Sequence, residues 1–182
     1  MKNDVFITGT SCYFPNKPVS NEDMEDFLGL ITGKHSRVKP VILKQNGIKQ
    51  RYYALTKEQK ITHTNAEMAV NSILQLLKNS DISNSEIELL SCATSSPDQM
   101  LPSHASMVHG LLKNKPLEIF SASGICLSCL QAFKTAFWGV LSGEKRNAIC
   151  STSELTSATL LSKNYDIEYE KCADLGVQPY MA

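Results

Sequence analysis

The chain has 182 residues, 42% hydrophobic and 7% aromatic, with 18 basic and 18 acidic side chains and no net charge. That length fits one domain of ordinary size with a substantial core. With no basic stripe and no Lys/Arg cluster interleaved with aromatics, nucleic acid is excluded as the expected partner, which leaves small molecules or other proteins.

Residues 4–10 read as a first strand; the apolar run is brief and carries Asp4, so neither a signal peptide nor a membrane span is expected there. Asn21 to Leu30 reads as a short helix, with Asn21 as its cap and Glu22 and Asp23 suited to the first turn. Residues 31–60 are polar and irregular and read as a surface excursion. From Thr64 to Asn79, Ala66, Ala69, Val70, Ile73, Leu76 and Leu77 recur at helical spacing, so one face is buried. Ile87 to Thr94 is a continuous apolar run, fit for a strand covered on both faces. Pro102, at a first-turn position, opens a helix through Lys113, and Leu117 to Ala122 is the next strand. The helix 125–142 is expected to bury Leu130, Phe133, Phe137, Val140 and Leu141 and to stop near Gly143, before a strand from Asn147 to Thr152. Lys163 to Ala182 is polar, with scattered acidic residues.

Strand and helix alternate, which implies parallel pairing through crossover connections and an α/β layered architecture. In such sheets the active site lies beyond the carboxyl ends of the strands, and Cys126 falls there, in Phe120-Ser-Ala-Ser-Gly-Ile-Cys126. A helix start favours a thiolate through its unpaired N–H groups and the positive end of its dipole. Small residues at 121–124 let the backbone turn sharply and leave room for a substrate carbonyl. Cys126 is therefore the candidate nucleophile, and acyl transfer is the chemistry that suits it.

The other five cysteines compete for attention. Cys92 and Cys150 lie inside apolar runs and read as buried, while Cys12 and Cys172 stand in no motif. Cys126 and Cys129 form a C-x-x-C pair, a spacing shared with redox dithiols and half-zinc sites. No second pair and no tight histidine spacing accompanies it among His35, His63, His104 and His109, so no metal site is expected, and Cys129 reads as packing one helical turn beyond Cys126. A papain-like reading with Cys129 as nucleophile matches only in part: Leu127 and Leu130 stand where Gly and an aromatic are expected, and the His and Asn should follow roughly 130–150 residues downstream. Six cysteines without a secretory signal point to reduced thiols in a cytoplasmic setting.

In order and spacing these segments resemble the thiolase superfamily and, within it, the β-ketoacyl-[acyl-carrier-protein] synthase III group. Ile7-Thr-Gly-Thr-Ser-Cys-Tyr-Phe-Pro15, followed by Val19-Ser-Asn-Glu-Asp23, is similar to that group's first strand, Tyr-x-Pro turn and helix start. Asn46-Gly-Ile-Lys-Gln-Arg51 resembles its Thr-Gly-Ile-x-x-Arg motif. Ala93-Thr-Ser-Ser-Pro-Asp-Gln-Met-Leu-Pro-Ser103 resembles its strand-to-Pro-Ser segment, and Ser123-Gly-Ile-Cys126 its nucleophile turn.

The resemblance implies that residues 1–182 are an N-terminal thiolase-like domain, a mostly parallel sheet flanked by helices, and that a second half is expected from a longer chain or another subunit. It implies an acyl-cysteine at Cys126, condensed with a malonyl- or β-ketoacyl-carrier-protein thioester. The His and Asn that assist would come from the second half, so this chain alone is expected to be inactive. Acyl carrier protein and acyl thioesters are the implied partners, in a homodimer, with no cofactor beyond the CoA or phosphopantetheine that carries the substrate. Gln45 stands where the group commonly has an Arg that holds coenzyme A, which leaves carrier-protein donors open, and Gln45 and Asn46 mark the thioester-binding loop. Leu101 replaces a Phe that reaches across the dimer to line the acyl channel, and it reads equally as simple packing before Pro102. The insertion at 31–44 resembles secondary-metabolite members that build dialkylresorcinol or cyclohexanedione precursors. Two alternatives stay open: a non-catalytic thiolase-like partner subunit, and a redox or protease-type cysteine protein.

Overall fold

The structure, a computed structural model, describes residues 4–174. In chain order its elements are β1 (Val19–Ser20), α1 (Met24–Leu28), α2 (Lys39–Asn46), β2 (Gln50–Arg51), α3 (Asn65–Lys78), β3 (Leu89–Ala93), α4 (His104–Leu112), β4 (Glu118–Ala122), α5 (Cys126–Leu141), β5 (Ala148–Thr152) and α6 (Asp166–Asp174). They form two compact units, residues 4–14 with 64–155, and residues 15–63 with 156–174.

The first unit is built on a three-stranded parallel sheet in the order β4-β3-β5. Every residue of β3 is buried, as its unbroken apolar run requires of a strand covered on both faces. On one face Leu90 and Cys92 pack with Ala66, Ala69, Val70 and Ile73 of α3 and with Ala105, Val108 and Leu112 of α4. On the other, Ala93 and Ala122 meet Ala132 of α5. The three strands end level, with Ala93 opposite both Ala122 and Thr152. The loops that follow them therefore leave from one edge.

The face that α5 buries is not the one its bulky residues suggest. Ser128, Ala132 and Ala136 face the sheet, whereas Leu130, Phe133 and Phe137 are exposed. Small side chains let the helix lie close: Ser91 Oγ donates to the Ala132 carbonyl at 2.8 Å. A Cβ on Gly139 would stand 3.0 Å from Leu89 Cδ2.

Residues 4–18 hold no strand, contrary to the expectation for 4–10; Phe6 and Ile7 are exposed, and a strand exists only through a paired neighbour. Residues 9–11 lie along α3 instead. Ser11 Oγ donates to the Ser72 carbonyl at 3.0 Å, and Gly9 sits so near that a Cβ would come within 2.9 Å of Leu76 Cδ1. Pro102 precedes α4 rather than entering its first turn, and the helix is capped by Ser103, whose hydroxyl accepts from Ser106 N–H.

In the second unit β1 and β2 pair antiparallel, and Val19, Tyr53, Leu55 and Leu161 form a small core with Phe27 and Leu28 packed on it. Residues 39–46, read as irregular from their polarity, form α2, which buries no residue and ends at Gly47 in the left-handed region (φ +69°). The expected helix 21–30 shortens to α1, because Asn21 turns its amide to the Ile48 carbonyl at 2.8 Å instead of capping. Of the polar segment 163–182, residues 166–174 form α6 and 175–182 lie outside the described residues.

Candidate functional site

Cys126 is the first residue of α5, four positions beyond the end of β4, and is exposed at the edge where the three strands end. The backbone reaches it through Gly124 (φ +159°) and then Ile125 at φ +50°, ψ −129°. A β-branched residue at positive φ is an outlier that costs on the order of 1–3 kcal/mol. That strain sits directly before the thiol. No side chain caps α5; in its first turn Leu127 N–H donates to the Gly124 carbonyl and Ser128 N–H to the Ile125 carbonyl.

A buried polar network ties together the loops around this edge. Asn65, fully buried at the start of α3, donates from Nδ2 to Thr94 Oγ1 (2.7 Å) and the Ser96 carbonyl (2.8 Å). Asp98 accepts from the N–H groups of Asn65 (2.7 Å) and Ala66 (2.9 Å) and so holds the loop after β3 on that helix start. Glu154, beyond β5, accepts from Ser95 N–H (2.7 Å) and Ser96 Oγ (2.6 Å), while Leu155 N–H donates to Ser96 Oγ (2.7 Å). Backbone bonds from Thr94 to Ala122 and from Ser153 to Ala93, both 3.1 Å, carry the pairing one residue past the strands. The turn before Cys126 thus leaves a platform held by these bonds.

His104 is 3% exposed, with Nε2 3.1 Å from Ser153 Oγ and Nδ1 buried without a partner. Burial holds its pKa below the ordinary 6.5 although Asp98 and Glu154 pull the other way. Within the sheet Cys92 is buried, as expected, and Cys150 only partly so; burial pushes the Cys150 thiol up to about 11 and that of Cys92 to about 12, so both stay protonated.

The remaining candidates are scattered. Leu101 is 85% exposed and fills no core in this chain. Gln45 and Asn46 lie exposed in the last turn of α2, in the other unit, where Asn46 Oδ1 accepts from Ile48 N–H at 2.9 Å. That unit also contains a cavity of about 770 Å³ lined by residues such as Leu28, Ile31, Arg51, Tyr53, Leu160 and Tyr169. At its rim Glu25 holds His35 Nδ1 (2.7 Å) and Lys39 Nζ (3.2 Å). Burial works against the Glu25 carboxylate, but bonds from His35, Lys39 and the Ser36 N–H keep its pKa below the usual value. Sequence reading passed over Asn65, Asp98, Glu154 and the cavity; only the Ser-Pro-Asp98 turn and the Thr64-Asn65 helix start offered a local signal. Among the described residues no three of His, Cys, Asp or Glu are grouped to hold a metal ion, and no helix is long and apolar enough to cross a membrane.

A parallel sheet with helices on both faces and a cysteine at the strained start of α5 has the fold of the thiolase-like condensing enzymes. The tetronic acid condensing enzyme AbyA1 superposes with a TM-score of 0.74 at 20% identity, over 93% of this chain and 49% of that one. The 3-oxoacyl-[acyl-carrier-protein] synthase III of Aquifex aeolicus superposes with a TM-score of 0.68 at 28% identity, over 83% of this chain and 45% of that one. The beta-ketoacyl-[acyl-carrier-protein] synthase III of Clostridium acetobutylicum is 29% identical over 158 residues, 87% of this chain and 45% of the relative. No protein-family model matches the chain. The chain is a homologue of the N-terminal half of the beta-ketoacyl-[acyl-carrier-protein] synthase III proteins, and it spans about half their length.

Proposed function

We propose that this chain is the nucleophile-bearing half of a condensing acyltransferase, with Cys126 taking an acyl group from a thioester. The observation that carries the reading is a thiol at the uncapped start of α5, after a strained turn and beyond three level strand ends, in a chain homologous to synthase III. The Cys126 thiolate attacks the thioester carbonyl, and the Cys126 N–H stabilises the oxyanion together with a second donor from polypeptide outside these residues. Collapse expels the donor thiol and leaves an acyl-cysteine. Loss of CO2 from a malonyl-carrier-protein thioester, or of an α-proton from a β-ketoacyl one, gives a carbanion that attacks this acyl carbon; the carbon–carbon bond forms, the C–S bond to Cys126 breaks, and the cysteine leaves as thiolate.

The His and Asn that assist the second step come, in this reading, from polypeptide outside these 182 residues, so the chain alone stays inactive. The row Leu127, Leu130, Phe133 and Phe137 on α5 supports it. A contiguous row of bulky apolar side chains marks a surface that other polypeptide covers, and here that row is exposed. Acyl carrier protein is the proposed partner, a homodimer the proposed assembly and the cytoplasm the proposed setting, with Gln45 and Asn46 meeting the thioester carrier and Leu101 lining the acyl channel.

The test is peptide mass spectrometry of the full gene product after incubation with a panel of acyl-CoA and acyl-carrier-protein thioesters. An acyl increment on the Cys126 peptide is expected. No increment from any donor, with Cys126 still alkylated by iodoacetamide, overturns the acyl-cysteine.

A further inference from the structure

Cys126 and Cys129 stand three residues apart at the start of α5, and that start is wound tightly. Leu127 N–H donates to the Gly124 carbonyl (3.1 Å) and Ser128 N–H to the Ile125 carbonyl (3.3 Å), both spanning three residues rather than four. In a turn of that kind, side chains three apart come nearest to eclipsed. The Cys129 thiol is turned back toward the helix start, its Sγ 3.2 Å from the Cys126 carbonyl oxygen. A thiol is a weak donor, so this bond gives way readily. Cys126 is exposed and Cys129 partly so, whereas their neighbours Cys150 and Cys92 are kept protonated by burial.

We propose that Cys126 and Cys129 are a redox modification site, closing to a reversible intrahelical disulfide under peroxide. The Cys126 thiolate attacks the peroxide; an S–O bond forms, the O–O bond breaks, and hydroxide leaves as water. The sulfur is oxidised to a sulfenic acid and the peroxide is reduced. Cys129 then attacks that sulfur; the S–S bond forms, the S–O bond breaks, and the departing hydroxide takes the Cys129 proton to leave as a second water.

The geometry needs a modest adjustment. Helical neighbours three apart have Cβ atoms about 5–6 Å apart, and a disulfide needs about 3.5–4.5 Å. The helix start is where that change is least costly, since no side chain caps it. Unwinding there also lets Ile125 leave its positive φ. Cys129 thereby protects Cys126 from the irreversible sulfinic and sulfonic acids, and masks it while the bond lasts. The disulfide stands on the two thiols alone; only the consequence for acyl transfer rests on the functional reading above.

The test uses the intact protein, titrated with hydrogen peroxide, quenched with iodoacetamide and mapped by peptide mass spectrometry. Expected is joint loss of alkylation at Cys126 and Cys129 in one peptide lighter by two hydrogens, with both restored by dithiothreitol. In Cys129→Ser, or Cys129→Ala should serine unfold the helix, Cys126 passes to sulfinic and sulfonic acids that dithiothreitol does not reverse. Cys150→Ser leaves the disulfide in place. Over-oxidation of Cys126 with Cys129 still alkylated in the unsubstituted protein overturns the proposal, and so does a bond from Cys129 to Cys150. No acyl donor enters this experiment, so its failure and a failure of the acyl-cysteine reading are told apart.

Discussion

Helices α3 and α5 pack on opposite faces of one sheet and are built by opposite rules. In α3 the Thr64 hydroxyl accepts from Glu67 N–H at 3.2 Å while the Glu67 carboxylate accepts from Thr64 N–H at 2.8 Å, a closed capping box. One apolar face is buried and the rest is solvated. In α5 the start is uncapped and strained, the buried face is made of small residues, and the bulky apolar residues point outward. A helix like α3 is complete when it meets its sheet. One like α5 is organised around what approaches it: a ligand at its start and more apolar surface along its outer row.

The largest effect that sharpens this contrast is chemical. Cys126→Ser is expected to lower acyl transfer by the full gene product about 10³-fold or more while leaving the thermal midpoint nearly unchanged. An equal loss of stability would show the residue to be a packing element, as Cys92 is. Next comes the tight seam. Ala132→Leu pushes a branched side chain into the space between Ala93 and Ala122 and is expected to cost about 1–3 kcal/mol by chemical denaturation. Phe133→Ala, one position away on the outer row, should cost this chain less, on the order of 1 kcal/mol or below, because the residue is 46% exposed. Similar losses from the two would break the assignment of the faces.

Two further substitutions probe the helix starts. Thr64→Ala opens the capping box and should destabilise the protein by about 1 kcal/mol. Ile125→Gly should act in the opposite sense, adding stability on the order of 1 kcal/mol because glycine accepts positive φ without strain. Acylation of Cys126 is expected to slow at the same time, as the turn loses its fixed shape. A slower-folding, less stable Ile125→Gly would show that the turn is held by side-chain packing and not against strain.

The contrast also explains what was legible in the sequence. The run from α3 to β5 could be read because period, caps and breakers are local: Thr64 with Glu67, the apolar stretch over β3, Gly143 after α5. The buried face of α5 could not, since a helix apolar on both sides carries no periodic signal. Choosing Ala132 over Phe133 is a matter of how closely backbones approach. Val5-Phe6-Ile7 reads as a strand by composition, but pairing depends on a partner that composition does not name. The helix α2 buries nothing and so lacked the stripe that reveals helices. Cys126 was recognisable from small residues and a helix start, whereas the network under it joins positions 29 to 60 residues apart in sequence, such as Asn65 with Thr94 and Glu154 with Thr94.

That network supplies the smallest expected effect, a pH dependence centred on His104. Burial favours the neutral ring, so its folded pKa lies below the ordinary 6.5 of the unfolded chain. The folded protein then binds fewer protons than the unfolded chain between those two values. Stability is complete above about pH 6.5 and falls as the pH drops through the unfolded value toward the depressed folded one. The effect is small because Asp98 and Glu154 favour the cation and offset part of the burial. Thermal midpoints between about pH 5 and pH 7.5 should decline on the acid side in the native protein, with a shallower decline in His104→Gln. If the two curves stay parallel, the ring is not held neutral, and the network at the strand ends accommodates a proton at His104 at no cost to folding.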